Sequence, residues 1–253
     1  MKSLRWLILV LALPLFCGHA MAGEPLRIAT EGAYPPFNFI DDQGNLSGFD
    51  VEIAKALCQA MNVECTLEAV KWDDILPGLV QNKYDAVIAS MAQTPERQKF
   101  ADFTDYYYRS RSTFVGNPTK PFVQTSAGLS GLTLTAQRDT VQARYLQDNF
   151  SDTATIRNAP TTDEAFTMLV RGETDAVLSD SLTIFGFLQT PEGAPFDFVG
   201  TPLPESDPSS TARIAVRKGD TQLLNAFHKA LRDIRLNGVY DKINRRYFPF
   251  SIY

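Results

Sequence analysis

Six side chains scattered between positions 31 and 180 carry the chemistry this sequence can do. Arg97 closes Thr94-Pro95-Glu96-Arg97, which reads as one helical turn with proline at its start. A guanidinium there is a planar, permanently charged fork suited to a carboxylate. Thr140 opens a helical stretch, and its hydroxyl with the free N–H groups behind it favours an anion. Glu31 and Asp180 each follow an apolar strand, where a carboxylate would receive a cation, and Tyr34 and Trp72 supply aromatic walls. One anion site, one cation site and aromatic walls describe a pocket for a zwitterion. Each residue also has a plainer reading. Arg97 may as well sit on the surface, Glu31 in solvent and Trp72 in the core, while Asp180 could cap the helix Ser181–Leu188. Their convergence on one cleft is what makes them a site.

Catalytic patterns are missing. The sequence holds no G-x-S-x-G elbow, no H-E-x-x-H and no phosphate-cradling glycine loop. His228, beside Phe227 on a helix, reads as structural, so nucleophilic catalysis has no base. No metal or cofactor is expected. A net charge of −5 over 253 residues, without a basic stripe, argues against nucleic acid as the partner. With 44% hydrophobic and 21% charged side chains, the composition is that of a globular protein.

The elements that must position these residues alternate between strand and helix. Leu26–Ala29 reads as a strand, and Phe49–Met61 as an amphipathic helix with Phe49, Ile53, Leu57 and Met61 at i+4 and Asp50 as its cap. Cys65–Ala69 reads as a strand, Asp74–Gln81 as a helix and Ala86–Ala89 as a strand buried on both faces. From about Ser112 a second set follows: Leu132–Thr135, helix Val141–Asn149, Ala154–Ile156, helix Thr162–Arg171 and Ala176–Leu178. Tyr84-Asp85-Ala86-Val87-Ile88 is echoed by Thr174-Asp175-Ala176-Val177-Leu178, which points to two α/β lobes of similar build. Thr201–Ser210 is a connector, Ala212–Val216 a strand, and two helices close the chain. In such sheets ligands bind beyond the carboxyl ends of the strands, which places the loops after Ala29, Ala89, Thr135 and Leu178 around the cleft.

The N-terminus reads as an export signal: Lys2 and Arg5, an apolar run from Trp6 to Phe16, then Ala20-Met21-Ala22. Cleavage after Ala22 leaves 22 of the 24 basic side chains against 29 acidic ones, a net charge of −7. Cys58 and Cys65 are then an even pair in an oxidising compartment. They read as a disulfide contributing about 2–3 kcal/mol; the rival reading is half of a zinc site.

Ile28-Ala29-Thr30-Glu31-Gly32-Ala33-Tyr34-Pro35-Pro36-Phe37, Gly48-Phe49-Asp50, Trp72-Asp73, Tyr84-Asp85-Ala86-Val87-Ile88, Thr94-Pro95-Glu96-Arg97 and Gly238-Val239-Tyr240-Asp241-Lys242-Ile243 resemble the periplasmic polar amino-acid-binding proteins of ABC importers. The resemblance spans essentially the whole exported chain, and the cysteine pair looks like the disulfide of the lysine/arginine/ornithine and histidine branch. It implies a two-lobe, type II periplasmic binding fold of mixed, mostly parallel sheets, with 24–110 and 209–253 as one lobe and 111–208 as the other. It implies a periplasmic monomer that captures a cationic amino acid, arginine before ornithine, lysine or histidine, and serves a membrane permease. Arg97 would grip the α-carboxylate with the N–H groups of Ser90 and Gln142, Asp180 would hold the α-ammonium, and Tyr34 and Trp72 would sandwich the side chain. Glu31 would meet the distal cation, with Ser90-Met91-Ala92 and Thr140-Val141-Gln142 completing the lining. Ala89, Ala92, Asp139 and Val141 depart from the family pattern and thin the grip on the amine. An opine or other guanidino compound is therefore the alternative ligand, and a cyclohexadienyl dehydratase-like enzyme is the rival of another class.

Overall fold

Asp85 and Asp175 do the same job in two places. In the computed structural model, which describes residues 24–253, Asp85 Oδ2 accepts from the Arg27 N–H at 2.9 Å while the Asp85 N–H donates to the Arg27 carbonyl. Asp175 repeats both bonds with Thr133. Each aspartate thus sets the register between two neighbouring parallel strands, Leu26–Thr30 with Ala86–Val87 and Thr133–Gln137 with Ala176–Asp180, which is why the Asp-Ala-Val phrase occurs twice. The export-signal reading falls on residues outside those described.

The first half of the chain forms β1 (Leu26–Thr30), a small sheet of β2 (Ala33–Tyr34), β3 (Asn38–Ile40) and β4 (Leu46–Ser47), and helix α1 (Phe49–Met61). Then come β5 (Cys65–Ala69), α2 (Trp72–Val80), β6 (Ala86–Val87), β7 (Ala101–Arg109) and β8 (Ser112–Gly116). The second set is β9 (Thr133–Gln137), α3 (Val141–Phe150), β10 (Thr155–Ala159), α4 (Thr162–Val170), β11 (Ala176–Asp180), α5 (Ser181–Leu188) and β12 (Asp197–Val199). The chain ends with β13 (Thr211–Arg217), α6 (Thr221–Leu236) and α7 (Val239–Tyr247).

Two five-stranded sheets result, ordered β5-β1-β6-β13-β7 and β10-β9-β11-β8-β12. In each, three parallel strands are continued by two antiparallel pairings, so that one strand, β13 or β8, runs against the other four. The chain leaves the first sheet through Ser110 and Arg111 and returns to it between Val199 and Thr211. Cys58 in the last turns of α1 is bonded to Cys65 at the start of β5, with Cα atoms 6.2 Å apart.

Helix α1 buries Phe49, Ile53 and Leu57 against the first sheet and α6, as its periodicity predicts. Its cap is different from the one expected. Gly48 is the N-cap, at φ 118°, and a Cβ there would lie 2.3 Å from the Phe37 carbonyl oxygen. Asp50 is the second residue of the helix, in its first turn, and is fully buried; its carboxylate takes no part in capping. Strand β7 was not separated from its surroundings in the sequence. Its pairing with β13 shifts register twice, between Ala212 and Arg213 and again before Ala215, which breaks the two-residue alternation.

Candidate functional site

The carboxyl ends of the strands in both lobes open on one cleft of about 570 Å³. Glu31 follows β1, Ser90 follows β6, Gln137 ends β9 and Asp180 ends β11, so these strand ends meet around the cleft. Ten of the eleven residues singled out from the sequence line it: Glu31, Tyr34, Trp72, Ser90, Ala92, Arg97, Thr140, Val141, Gln142 and Asp180. Met91 does not. Its side chain is buried with Ile75, Leu79 and Val87 in the core of the first lobe.

Arg97 donates from Nη1 to the Ala92 carbonyl at 2.8 Å and from Nη2 to the Asp139 carbonyl at 3.1 Å. Burial lowers its pKa to about 10, which leaves it a cation at neutral pH. Two of its five donor hydrogens are thus used, and the others remain for a ligand. Thr140 caps α3: its hydroxyl accepts from the Ala143 N–H at 3.1 Å and donates to the Gln137 carbonyl at 2.6 Å. The hydroxyl proton expected to serve an anion is therefore spent inside the lobe. What α3 offers the cleft is its first-turn N–H groups, on Val141 and Gln142. The Gln142 side chain is tied to Ser112 Oγ.

Ser90 also departs from expectation. Its N–H, assigned from the sequence to a ligand carboxylate, donates to Tyr107 Oη at 2.9 Å, and its hydroxyl donates to Asp50 Oδ2 at 2.9 Å. Asp50 further accepts from Tyr107 Oη at 2.7 Å and Asn38 Nδ2 at 2.8 Å. Burial raises its pKa to about 6 in spite of these three bonds. Asp50 is thus the hub that holds Ser90 at φ 53° on the cleft floor.

Asp180 is both a cap and a residue of the cleft. It caps α5, with Oδ1 accepting from the Leu182 N–H at 2.8 Å, and it lines the cleft. The same Oδ1 accepts from Ser110 Oγ at 2.7 Å, in the segment that crosses between the sheets. Both bonds fall on one oxygen, so neither engages Oδ2. Burial raises its pKa to about 6. Burial pushes the Tyr34 hydroxyl pKa up, and the charges of Asp180 and Glu31 add to the rise.

Glu31 is 8% exposed, and its Oε1 accepts from Gln137 Nε2 of the other lobe at 2.5 Å. Burial raises its pKa to about 7, helped by the charges of Asp163 and Asp73 and opposed by the Gln137 bond. Gln137 escaped the sequence reading, although it ends the very strand whose loop drew attention to Thr140. The lobes also meet through Trp72 Nε1, which donates to the Asp139 carbonyl, and through ion pairs Arg138–Asp73 and Arg144–Glu96. The structure is the closed arrangement.

Two α/β lobes shut on a polar, charge-lined cleft define a solute-binding protein. The chain belongs to the bacterial extracellular solute-binding proteins, family 3, whose model matches residues 26–250. It is 36% identical over 247 residues to the L-arginine-binding protein of Pseudomonas aeruginosa, covering 96% of this chain and 94% of that one. It is 31% identical to the lysine/arginine/ornithine-binding periplasmic protein of Escherichia coli, covering 96% and 98%. Among solved structures, an ancestral arginine-binding protein bound to arginine superposes with a TM-score of 0.83 at 31% identity, over 90% of this chain and 99% of that one. The two-lobe binding fold implied by the sequence is the one observed.

Proposed function

We propose that this protein is a periplasmic receptor that captures a cationic amino acid, arginine before ornithine, lysine or histidine, and delivers it as a monomer to the permease of an ABC importer. The observation that carries this reading is the charge arrangement of the cleft. Arg97 and the N-terminus of α3 form an anionic-ligand end, Asp180 stands ready for an ammonium, and Glu31 waits with Asp73 and Asp163 nearby. Arg97 and the N–H groups of Val141 and Gln142 hold the α-carboxylate, Asp180 Oδ2 takes the α-ammonium, and Tyr34 and Trp72 flank the aliphatic stem. Glu31 neutralises the distal charge, and its raised pKa is the cost of closing the cleft without a cation there. The names of the relatives support the same ligand class.

Ala89 and Ala92 line the cleft where hydroxyls would crowd the amine, which favours a second reading, an N-substituted guanidino amino acid such as an opine. Neither reading needs an acid–base step. Release of phenylalanine from arogenate would instead establish a dehydratase and overturn the receptor.

A thermal-shift screen across amino acids, opines and polyamines tests the ligand class, because a ligand at 100 times its Kd adds about 2.7 kcal/mol. Stabilisation by arginine, lysine or ornithine is the expected result. Stabilisation by neutral or acidic amino acids alone would sink it.

A further inference from the structure

We infer that Gln137 is a positioning residue that fixes the charge preference at the distal end of the cleft, holding one oxygen of Glu31 across the closed lobes and leaving the other for a guanidinium. This rests on the reading of the cleft as an amino-acid site and names the group of the ligand that the distal end selects.

Two bonds between buried groups carry the inference. Gln137 is 5% exposed, at the end of β9 in the second lobe, and Glu31 is 8% exposed, after β1 in the first. Gln137 Nε2 donates to Glu31 Oε1 at 2.5 Å. On its other side, Thr162 Oγ1, at the start of α4, donates to Gln137 Oε1 at 2.9 Å. A hydroxyl proton given to the amide oxygen turns the amide nitrogen toward Glu31, so the orientation of the glutamine is set by both neighbours together. The bond crosses the lobes and therefore exists only when the cleft is shut.

The consequences are chemical. With Oε1 taken, Glu31 presents Oε2 alone, and Gln137 Oε1 retains a second lone pair. The distal end then offers the ligand acceptors, one of them charged. A guanidinium carries only donors in a planar fork. A urea of the same shape puts a carbonyl oxygen in place of one donor; that oxygen is repelled by the Glu31 carboxylate and has only the second Nε2 hydrogen of Gln137 to meet it. The remaining charges near Glu31 reinforce the preference: Asp163 at the start of α4 and Asp73 on α2 are both negative. Arg138, the cation nearby, is paired to Asp73. Gln137 also supplies the hydrogen bond that keeps the buried Glu31 carboxyl from titrating still higher.

The test is a set of isothermal titrations of L-arginine and L-citrulline against the full-length exported protein and the variants Gln137→Leu and Thr162→Val, at about pH 8 and about pH 6, either side of the raised Glu31 value. Gln137→Leu should lower the arginine-to-citrulline affinity ratio about tenfold at the higher pH, since a guanidinium loses a carboxylate held in place for it while a urea gains little from that carboxylate. The improvement of citrulline binding on acidification should also move to higher pH, by about half a unit, because Glu31 loses its donor. Thr162→Val, which keeps Gln137 but lets its amide turn, should lower the ratio in the same direction and covers the case in which the leucine variant does not fold. A ratio within about twofold of the parent in the folded variants, with the pH dependence unmoved, would overturn the role of Gln137 while leaving the amino-acid site intact. A parent protein that binds neither arginine nor lysine would overturn the underlying reading and the inference with it.

Discussion

Arg97 and Trp72 converge on a single acceptor. The guanidinium lies 5.2 Å from the indole centroid, and both side chains donate to the carbonyl of Asp139, at 3.1 and 3.2 Å. Two residues of the first lobe thus clamp one carbonyl of the second, and Asp139 presents it from a left-handed conformation, φ 58°. The arginine that lines the cleft is also part of the closing contact between the lobes.

Arg97→Ala should abolish high-affinity binding. Its loss removes the charge-assisted pair with the ligand carboxylate and one clamp bond, at a cost of about 2–5 kcal/mol of binding. Isothermal titration against the ligand found in the screen is the measurement. An affinity within threefold of the parent would take Arg97 out of the site.

Arg144 and Glu96 close the mouth of the cleft from opposite lobes at 3.1 Å, with half or more of each side chain exposed. An exposed pair of this kind is worth about 0–1 kcal/mol and is screened by salt. Arg144→Ala should therefore speed ligand dissociation by about fivefold or less. Stopped-flow release at low and high salt should show the difference between parent and variant vanish as salt rises. A difference that persists in high salt would mean that Arg144 acts by packing.

Asp50→Ala should destabilise the protein by about 2–4 kcal/mol, because Asn38, Ser90 and Tyr107 would lose their common buried acceptor. Ligand affinity should fall as well, since Ser90 loses its hold on the cleft floor. Denaturant unfolding with and without ligand separates the two effects. Unchanged stability would show that the three donors find other partners.

The ligand-free closed protein should gain stability on mild acidification. Glu31 is raised to about 7, and Asp50 and Asp180 to about 6, all by burial. A carboxyl whose folded pKa lies above its unfolded one binds its proton more tightly in the folded state. Stability from these groups is therefore gained as pH falls from above 7 toward the ordinary carboxylate range, and lost as pH rises through the folded values. Asp85, lowered to about 2 by the hydrogen bonds of Arg27 and Arg217 against its partial burial, opposes this only below about pH 4. The melting temperature should rise from about pH 8 to about pH 5. Saturating arginine should flatten this trend, since a cation beside Glu31 returns its pKa toward normal. A melting temperature that falls steadily over that range would contradict it.

Much of this architecture was legible in the sequence because it is local. The i+4 recurrence of Phe49, Ile53, Leu57 and Met61 needs only a helix and an apolar neighbour to become α1. The repeated Asp-Ala-Val phrase needs only one strand beside another, and Asp85 and Asp175 reveal why it repeats. The rule that ligands meet the carboxyl ends of strands pointed to Glu31, Ser90, Arg97, Thr140 and Asp180, which the structure brings to one cleft, since strand ends are set by short-range pattern.

What each polar atom does there was decided by partners remote in sequence. Asp50 sits where a cap residue belongs and became a buried hub because Tyr107, 57 positions on, and Ser90, 40 positions on, converge on its carboxylate. The same convergence consumes the Ser90 N–H that a ligand was expected to use. Gln137 meets Glu31 over 106 positions, a contact that no periodicity encodes. The sequence by itself determined two lobes, their matching sheets and the face on which a ligand meets them, because hydrophobic period and strand ends act over a few residues. Only the tertiary structure decided which donors and acceptors stay free for that ligand. Hydrogen bonds between the lobes come into being on closure, and each one removes an atom from the inventory that the sequence lists as available.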